Sequence, residues 1–171
     1  MEEKIQIPEC FPGVIRFGGC ALGTQTGHQA GRVLLERLYR EETGQSLPQI
    51  CTTDRGKPYF RESGYHFSIT HTRRHAFCVL SSCPVGLDAE ELDRKIRPEL
   101  ARRILSPSEY ARYSQSVDKN SALLTFWVLK EAQVKCTGTG LQGYPNQTDF
   151  QLDDPRIWQQ DGCILAMILE P

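Results

Sequence analysis

Three residues in one stretch of the chain are spaced for chemistry. They are Trp127, Glu131 and Lys135, in the run Trp127-Val128-Leu129-Lys130-Glu131-Ala132-Gln133-Val134-Lys135. Each follows the last by four positions, so in a helix they form one stripe, a turn apart. An aromatic ring, a carboxylate and an ammonium are then displayed together. A second stretch reads Gly86-Leu87-Asp88-Ala89-Glu90. In a strand, Asp88 and Glu90 point to the same side, because side chains alternate. Three carboxylates and a lysine are what a hard divalent cation and a phosphate substrate need. Alone, a Glu–Lys pair four apart is ordinary decoration of a solvated helix. An Asp-x-Glu is often a strand running out into water. The setting argues for more. Residues 84–87 read as a short buried strand that delivers both carboxylates, and residues 123–129 are apolar nearly all round, the pattern of a buried helix. A buried helix that ends in Lys130, Glu131 and Lys135 must satisfy those charges, and the Asp88/Glu90 strand with a bound cation would do so.

The elements that must position these groups follow from periodicity and turn chemistry. Residues 13–22 read as an opening strand. Residues 26–43 read as a helix with an apolar stripe of Val33, Leu34 and Leu38, stopped by Gly44. Residues 45–63 are turn-rich, with Gly56 and Pro58. Residues 65–70 and 76–81 read as two strands joined by a polar turn at 71–75, and residues 85–90 as the third strand of that region. Residues 97–105 and 107–114 read as helices, with Ser106 as N-cap and Pro107 at the first helical position. Residues 119–137 form the long helix that carries the stripe. Residues 148–152 and 163–169 read as closing strands, with a turn at Asp161-Gly162. Helix then strands, followed by helices then strands, is compatible with two similar α+β halves meeting near residue 83. No sequence repeat marks them.

At this point the chain resembles a known family. Gly86-Leu87-Asp88-Ala89-Glu90, followed by Trp127-x-x-Lys130-Glu131-Ala132-x-x-Lys135 and then Gly138-x-Gly140-Leu141, is similar to the signature of the 4′-phosphopantetheinyl transferase superfamily. Upstream, Gly56-Lys57-Pro58 and Ser68-Ile69-Thr70-His71-Thr72 resemble its Gly-Lys-Pro and Ser-His-Ser motifs, in the right order. The residues 30–35 also resemble its first helix. Two departures stand out: Thr70 and Thr72 replace serines, and Gly27-His28 stands where the family often has an arginine.

The resemblance implies an α+β pseudo-dimer of two similar halves, with the active site in the cleft between them. The halves would be residues 1–82, carrying the coenzyme A motifs, and residues 83–171, carrying the metal and catalytic motifs. Length suggests a trimmed version of the single-chain, surfactin-type (Sfp-like) group, acting as a monomer. The implied reaction moves phosphopantetheine from coenzyme A to a serine of an apo acyl, peptidyl or aryl carrier protein and releases 3′,5′-ADP. The carrier would serve fatty-acid, polyketide or nonribosomal peptide synthesis. Asp88, Glu90 and Glu131 are the expected ligands of Mg²⁺, with Mn²⁺ as an alternative. Glu131 and Lys135 are the expected catalytic pair: Glu131 as metal ligand, base or both, and Lys135 on the departing phosphate. Lys57, Pro58, Thr70, His71, Asp88 and Lys135 are the expected coenzyme A contacts. Carriers of this type present acidic helices, so Arg94, Lys95, Arg97, Arg102 and Arg103 form a candidate docking face, although a charge run is as often simply solvated. Two readings from other classes stay open: a metal-dependent phosphohydrolase acting on coenzyme A-like pyrophosphates, and a non-catalytic coenzyme A or carrier-binding module.

Composition agrees. The 171 residues carry a net charge of −1, so no basic field supports nucleic-acid binding. No apolar run reaches the roughly 18 residues of a membrane span, and Met1-Glu2-Glu3-Lys4 does not open a secretory leader. The seven cysteines include no Cys-x-x-Cys pair and read as reduced thiols. A cytoplasmic protein is the expectation, without membrane or nucleic-acid partners.

Overall fold

The computed structural model describes residues 7–140 and 148–170. The acidic N-terminal reading and Leu141 of the Gly-x-Gly-Leu motif lie outside the described residues. Two strand–helix–hairpin units follow one another along the chain. The first comprises β1 (Val14–Ala21), α1 (Gly27–Thr43), a small side hairpin of β2 (Ile50–Thr52) and β3 (Pro58–Phe60), and then β4 (His66–His71) and β5 (His75–Ser81). Its antiparallel sheet runs β1-β5-β4. The second comprises β6 (Val85–Glu91), α2 (Ala101–Ile104), α3 (Pro107–Gln115), α4 (Lys119–Thr137), β7 (Ile157–Gln160) and β8 (Cys163–Leu169). Its antiparallel sheet runs β6-β8-β7. In both sheets the opening strand lies against the last strand of the unit, which takes the centre.

The central strands explain how the layers stack. In β5, Phe77 and Val79 point into a core shared with Val85, Leu87 and Ala89 of β6 and with Leu165 and Met167 of β8. Cys78 and Leu80 point the other way, onto Leu34, Leu35 and Leu38 of α1. In β8, Ile164, Ala166 and Ile168 pack on α4 through Leu124, Val128 and Ala132. Helix, sheet, sheet and helix therefore lie in sequence, with both central strands buried on both faces. That is why these strands read as continuous apolar runs rather than alternating ones.

Local chemistry sets the helix ends. Thr26 and Gln29 form a capping box at the start of α1, and Gly44 closes it in the left-handed conformation at φ 71°. Ser106 and Glu109 form a second capping box on α3, with Pro107 inside the first turn. Asp118 caps α4, and Gly138 ends it at φ 68°.

Several expectations need correction. β6 does not join the β4–β5 sheet; it pairs with β8, with Asp88 opposite Ala166. A strand's own pattern shows which faces are buried but not which neighbour takes its backbone. Residues 148–152 are not a strand. The Phe150 amide donates to Glu109 Oε1 (2.9 Å) instead of to a ladder, and its ring is buried. β7, at 157–160, is the hairpin partner of β8 across Asp161-Gly162. Val33 is 56% exposed, and Leu35, at 0%, takes its place on the buried side of α1. The expected helix at 97–105 is a short 3-10 turn, Pro98–Leu100, followed by the single turn of α2.

Candidate active site

The site begins with a glycine. A Cβ on Gly86 would land on the Ala132 carbonyl oxygen and the Cys136 amide of α4, so only glycine lets β6 lie this close to the helix. Strand alternation then turns Asp88 and Glu90 toward α4 as well. The expected stripe meets them rung by rung. Trp127 donates its indole N–H to Glu90 Oε1 (3.3 Å), and Lys135 donates to Asp88 Oδ1 (2.7 Å). Glu131 lies between these rungs.

The electrostatics of this seam are uneven. Asp88 is 6% exposed. Its Oδ1 accepts from Lys135 and from the Thr70 hydroxyl (3.2 Å), while Oδ2 is buried without a hydrogen-bond partner among the described residues. Lys135 also donates to the Leu87 carbonyl (3.1 Å) and to Thr70 Oγ1 (3.2 Å). Arg94 ion-pairs with Glu90 and lies over the Trp127 ring, 5.7 Å from its centroid. Burial, and then the negative charge of Asp88, push the Glu131 carboxyl above its ordinary range, against the opposing pull of Lys135 and Arg94.

The expected metal ligands are brought to one seam but not closed on one point. Asp88, Glu90 and Glu131 do not bring three ligand atoms within 4.8 Å of one another; among the described residues a different set does so. Lys135 and Arg94 take up part of the carboxylate charge instead. The donor set still fits a hard cation. It is all oxygen, it includes a buried carboxylate oxygen with no partner, and it holds a neighbouring carboxyl above its usual range.

A cavity of about 670 Å³ opens beside the seam, where the two units meet. Asp88, Glu90 and Lys135 line it from one side, and Thr70, His71, Lys57 and Pro58 from the other. Its lining includes Lys135 but not Glu131, so the two do not present themselves equally to a ligand. Lys57 follows Gly56 at the tip of the β2–β3 hairpin, where φ is 88°. Its ammonium donates to the Cys136 carbonyl at the end of α4, and burial lowers its proton affinity. The His71 ring lies where a Cβ on Gly27 would be, and meets the His28 ring edge-on at 5.4 Å.

Three cavity residues with basic side chains were not among the expected contacts: His28, named only as a departure from the family pattern, Arg32 and Arg55. His28 and Arg32 are four apart on the exposed side of α1, and that spacing was a usable signal. Lys130 is the opposite case. It stands next to Glu131 but faces away, 2% exposed, paired with Glu109 (2.6 Å) and donating to the Thr148 carbonyl (2.8 Å). It is not an alternative cation for the cavity. Of the expected docking residues, Lys95, Arg97, Arg102 and Arg103 are exposed, while Arg94 is committed to Glu90.

Comparisons with known proteins point to one family. Residues 84–165 match the family model described as the 4′-phosphopantetheinyl transferase superfamily. The chain is 32% identical to 4′-phosphopantetheinyl transferase psf-1 of Bacillus pumilus over 116 residues, covering 65% of this chain and 49% of that protein. It is 34% identical to 4′-phosphopantetheinyl transferase gsp of Aneurinibacillus migulanus over 123 residues, covering 68% and 50%. Against 4′-phosphopantetheinyl transferase Sfp of Bacillus subtilis it is 29% identical over 121 residues, covering 69% and 53%. The chain spans about half the length of the curated relatives it matches. Among the described residues, no helix is long and apolar enough to cross a membrane.

Proposed function

We infer from the family match and the relatives that the chain belongs to the 4′-phosphopantetheinyl transferase superfamily, and we propose that it moves 4′-phosphopantetheine from coenzyme A to a serine hydroxyl of an apo carrier protein, releasing 3′,5′-ADP. The observation that carries this reading is the cavity in which Asp88, Glu90 and Lys135 face Thr70, His71 and Lys57. Two carboxylates beside a lysine on one wall, and a second lysine with an imidazole on the other, suit a pyrophosphate held beside a hard cation. The two strand–helix–hairpin units are then the halves of a pseudo-dimer that meet near residue 83, and one chain holds one site.

Each residue has a task. Asp88, Glu90 and Glu131 would hold Mg²⁺, or Mn²⁺, which when bound supplies charge neutralisation at the pyrophosphate. Lys135 lines the cavity with its three donors on Asp88, Thr70 and the Leu87 carbonyl, and exchanging one of these for the departing phosphate would neutralise the charge that develops there. Glu131, with its proton affinity raised, is a better base toward a serine hydroxyl than an ordinary carboxylate. His71 offers a ring N–H to the phosphates, while the Thr70 hydroxyl, donated to Asp88, fixes that carboxylate. Lys57 keeps two N–H donors beyond the one given to Cys136. Arg32 and Arg55 place further positive charge at the rim for the nucleotide phosphates, with the His28 ring beside them. Exposed Lys95, Arg97, Arg102 and Arg103 would meet an acidic carrier helix in the cytoplasm.

The test is incubation with coenzyme A, Mg²⁺ and a panel of apo carrier proteins, read by intact-protein mass spectrometry. The expected result is the phosphopantetheine mass on one carrier serine, lost when that serine is replaced by alanine. Breakdown of coenzyme A without carrier modification would favour the phosphohydrolase reading, and coenzyme A binding without turnover the binding module.

A further inference from the structure

Glu90 and Glu91 are neighbours in sequence, but strand alternation sends them to opposite faces of β6. Glu90 faces the cavity seam. Glu91 faces the junction of the two sheets, where it is 2% exposed. There it stands directly across the ladder from Cys163, the first residue of β8, which is 0% exposed. His75, the first residue of β5, completes the group from the other sheet, with Nδ1 3.8 Å from Cys163 Sγ. The three ligand atoms all lie within 4.8 Å of one another, and among the described residues this is the set that does so.

We propose that His75, Glu91 and Cys163 form a second cation site, separate from the Asp88 seam, for a late first-row divalent ion such as Zn²⁺. Bond lengths of about 2.0–2.3 Å to nitrogen, oxygen and sulfur put the edges of a tetrahedral zinc site at roughly 3.3–3.8 Å. The His75–Cys163 separation already meets that edge, and a Glu91 oxygen lies within 4.8 Å of both ligand atoms. A thiolate and an imidazole select zinc over magnesium, which prefers oxygen alone. The three ligands sit on strands of both sheets, so the ion is a staple between the halves and leaves one coordination position for water.

Four hydrogen bonds compete with the ion for Glu91. Arg74 donates to Oε2 from Nε (2.8 Å) and from Nη2, and to Oε1 from its backbone amide (3.2 Å), and the Thr72 hydroxyl donates to Oε1 (2.6 Å). The Arg74 side chain is 57% exposed, and Asp93 lies 3.6 Å away as an alternative partner. A cation at Glu91 displaces the guanidinium toward Asp93. The Cys163 proton leaves to solvent as the metal–sulfur bond forms.

The test uses the whole chain, stripped with a chelator and titrated with Co²⁺ and with Zn²⁺ in the presence of excess Mg²⁺. One Co²⁺ per chain is expected, with thiolate-to-cobalt charge-transfer absorption that one equivalent of Zn²⁺ abolishes. Cys163→Ser should remove the band. His75→Gln, at a half-buried position that tolerates polarity, should weaken zinc by more than the roughly 10–100-fold that loss of an outer-shell partner costs. Arg74→Gln should tighten zinc several-fold. No band in the native chain, or a band that persists in folded Cys163→Ser or is unchanged in His75→Gln, overturns the site. The readouts involve no coenzyme A, so failure here and failure of the transferase reading are distinguishable.

Discussion

The two halves share a plan and differ at one seam. In the first, β1 lies on α1 through Gly18, whose absent Cβ would meet Leu34 Cδ1 at 3.1 Å and Leu38 Cδ2 at 3.3 Å. Strand and helix meet there through flexible apolar ends. In the second, β6 lies on α4 through Gly86, in contact with helix backbone, and the same face then carries Asp88 and Glu90 against Trp127, Glu131 and Lys135. One arrangement of strand on helix thus serves packing in one half and holds a charged cluster in the other. The first half adds cations and hydroxyls across the cavity. Charge, rather than topology, separates scaffold from site.

The most severe way to break this asymmetry is to remove its charge. Asp88→Ala is expected to abolish transfer while the chain stays folded, a loss of at least about 1000-fold in kcat, since a charge at a phosphate site contributes several kcal/mol. Mass spectrometry of the carrier beside circular dichroism measures both. A folded, fully active Asp88→Ala chain would remove the seam from the reaction.

The buried pair that frames the seam has no counterpart in the first half among the described residues. Glu109 and Lys130 are 0% and 2% exposed, whereas Glu36 and Arg40 pair on the open surface of α1. Glu109→Ala should cost about 3–5 kcal/mol, because the Ser106 and Phe150 amides lose their acceptor and the buried Lys130 keeps the Thr148 carbonyl but loses the Glu109 carboxylate. Glu36→Ala should cost no more than about 0.5 kcal/mol. Urea unfolding of the two variants tests the contrast, and equal losses would contradict it.

Lys135→Ala should lower kcat by about 100-fold, with a smaller effect on coenzyme A affinity measured by calorimetry. If affinity falls and kcat holds, Lys135 is a ground-state anchor. The glycines give a sharper structural contrast. Gly86→Ala drives a methyl into backbone and should cost about 1–3 kcal/mol, while Gly18→Ala meets side-chain ends that can turn aside and should cost less than about 1 kcal/mol.

The smallest effect concerns Glu131. Its carboxyl is pushed up in the folded state, so its contribution is favourable below the unfolded value near 4.5 and is lost as pH rises through the folded value. Glu131→Gln should therefore raise Tm at pH 7 while removing activity, with the gain fading as pH falls below that unfolded value. In the native chain, transfer should fall away as acid protonates Glu131. A Tm for Glu131→Gln that is lower than native at pH 7 and unchanged in acid would contradict the burial penalty.

Much of this was legible in the sequence, for identifiable reasons. The α4 boundaries were, because Asp118 and Gly138 cap an uninterrupted apolar run. The stripe and the Asp88/Glu90 face were, because side-chain periodicity is set by the backbone. What stayed hidden depends on distance in space. Nothing in Val85–Glu91 names β8 as its partner. Nothing local shows that Arg94 and Lys135 would settle on the carboxylates, or that Lys57 would lie on the end of α4. The β2–β3 hairpin escaped because its strands are three residues each, too short for alternation to register.

The pairing of β6 with β8 has a consequence in time. Asp88 finds its ladder partner, Ala166, only after α2, α3, α4 and β7 have intervened. The loop closed by that contact is long, and contacts of such sequence separation form late and slow the search. Until β8 docks, the apolar faces of β6 and α4 have no cover on that side, and the carboxylates have no fixed register. Docking of β8 is therefore also the step that completes the acid wall of the cavity, so catalytic competence should appear with that docking rather than with helix formation.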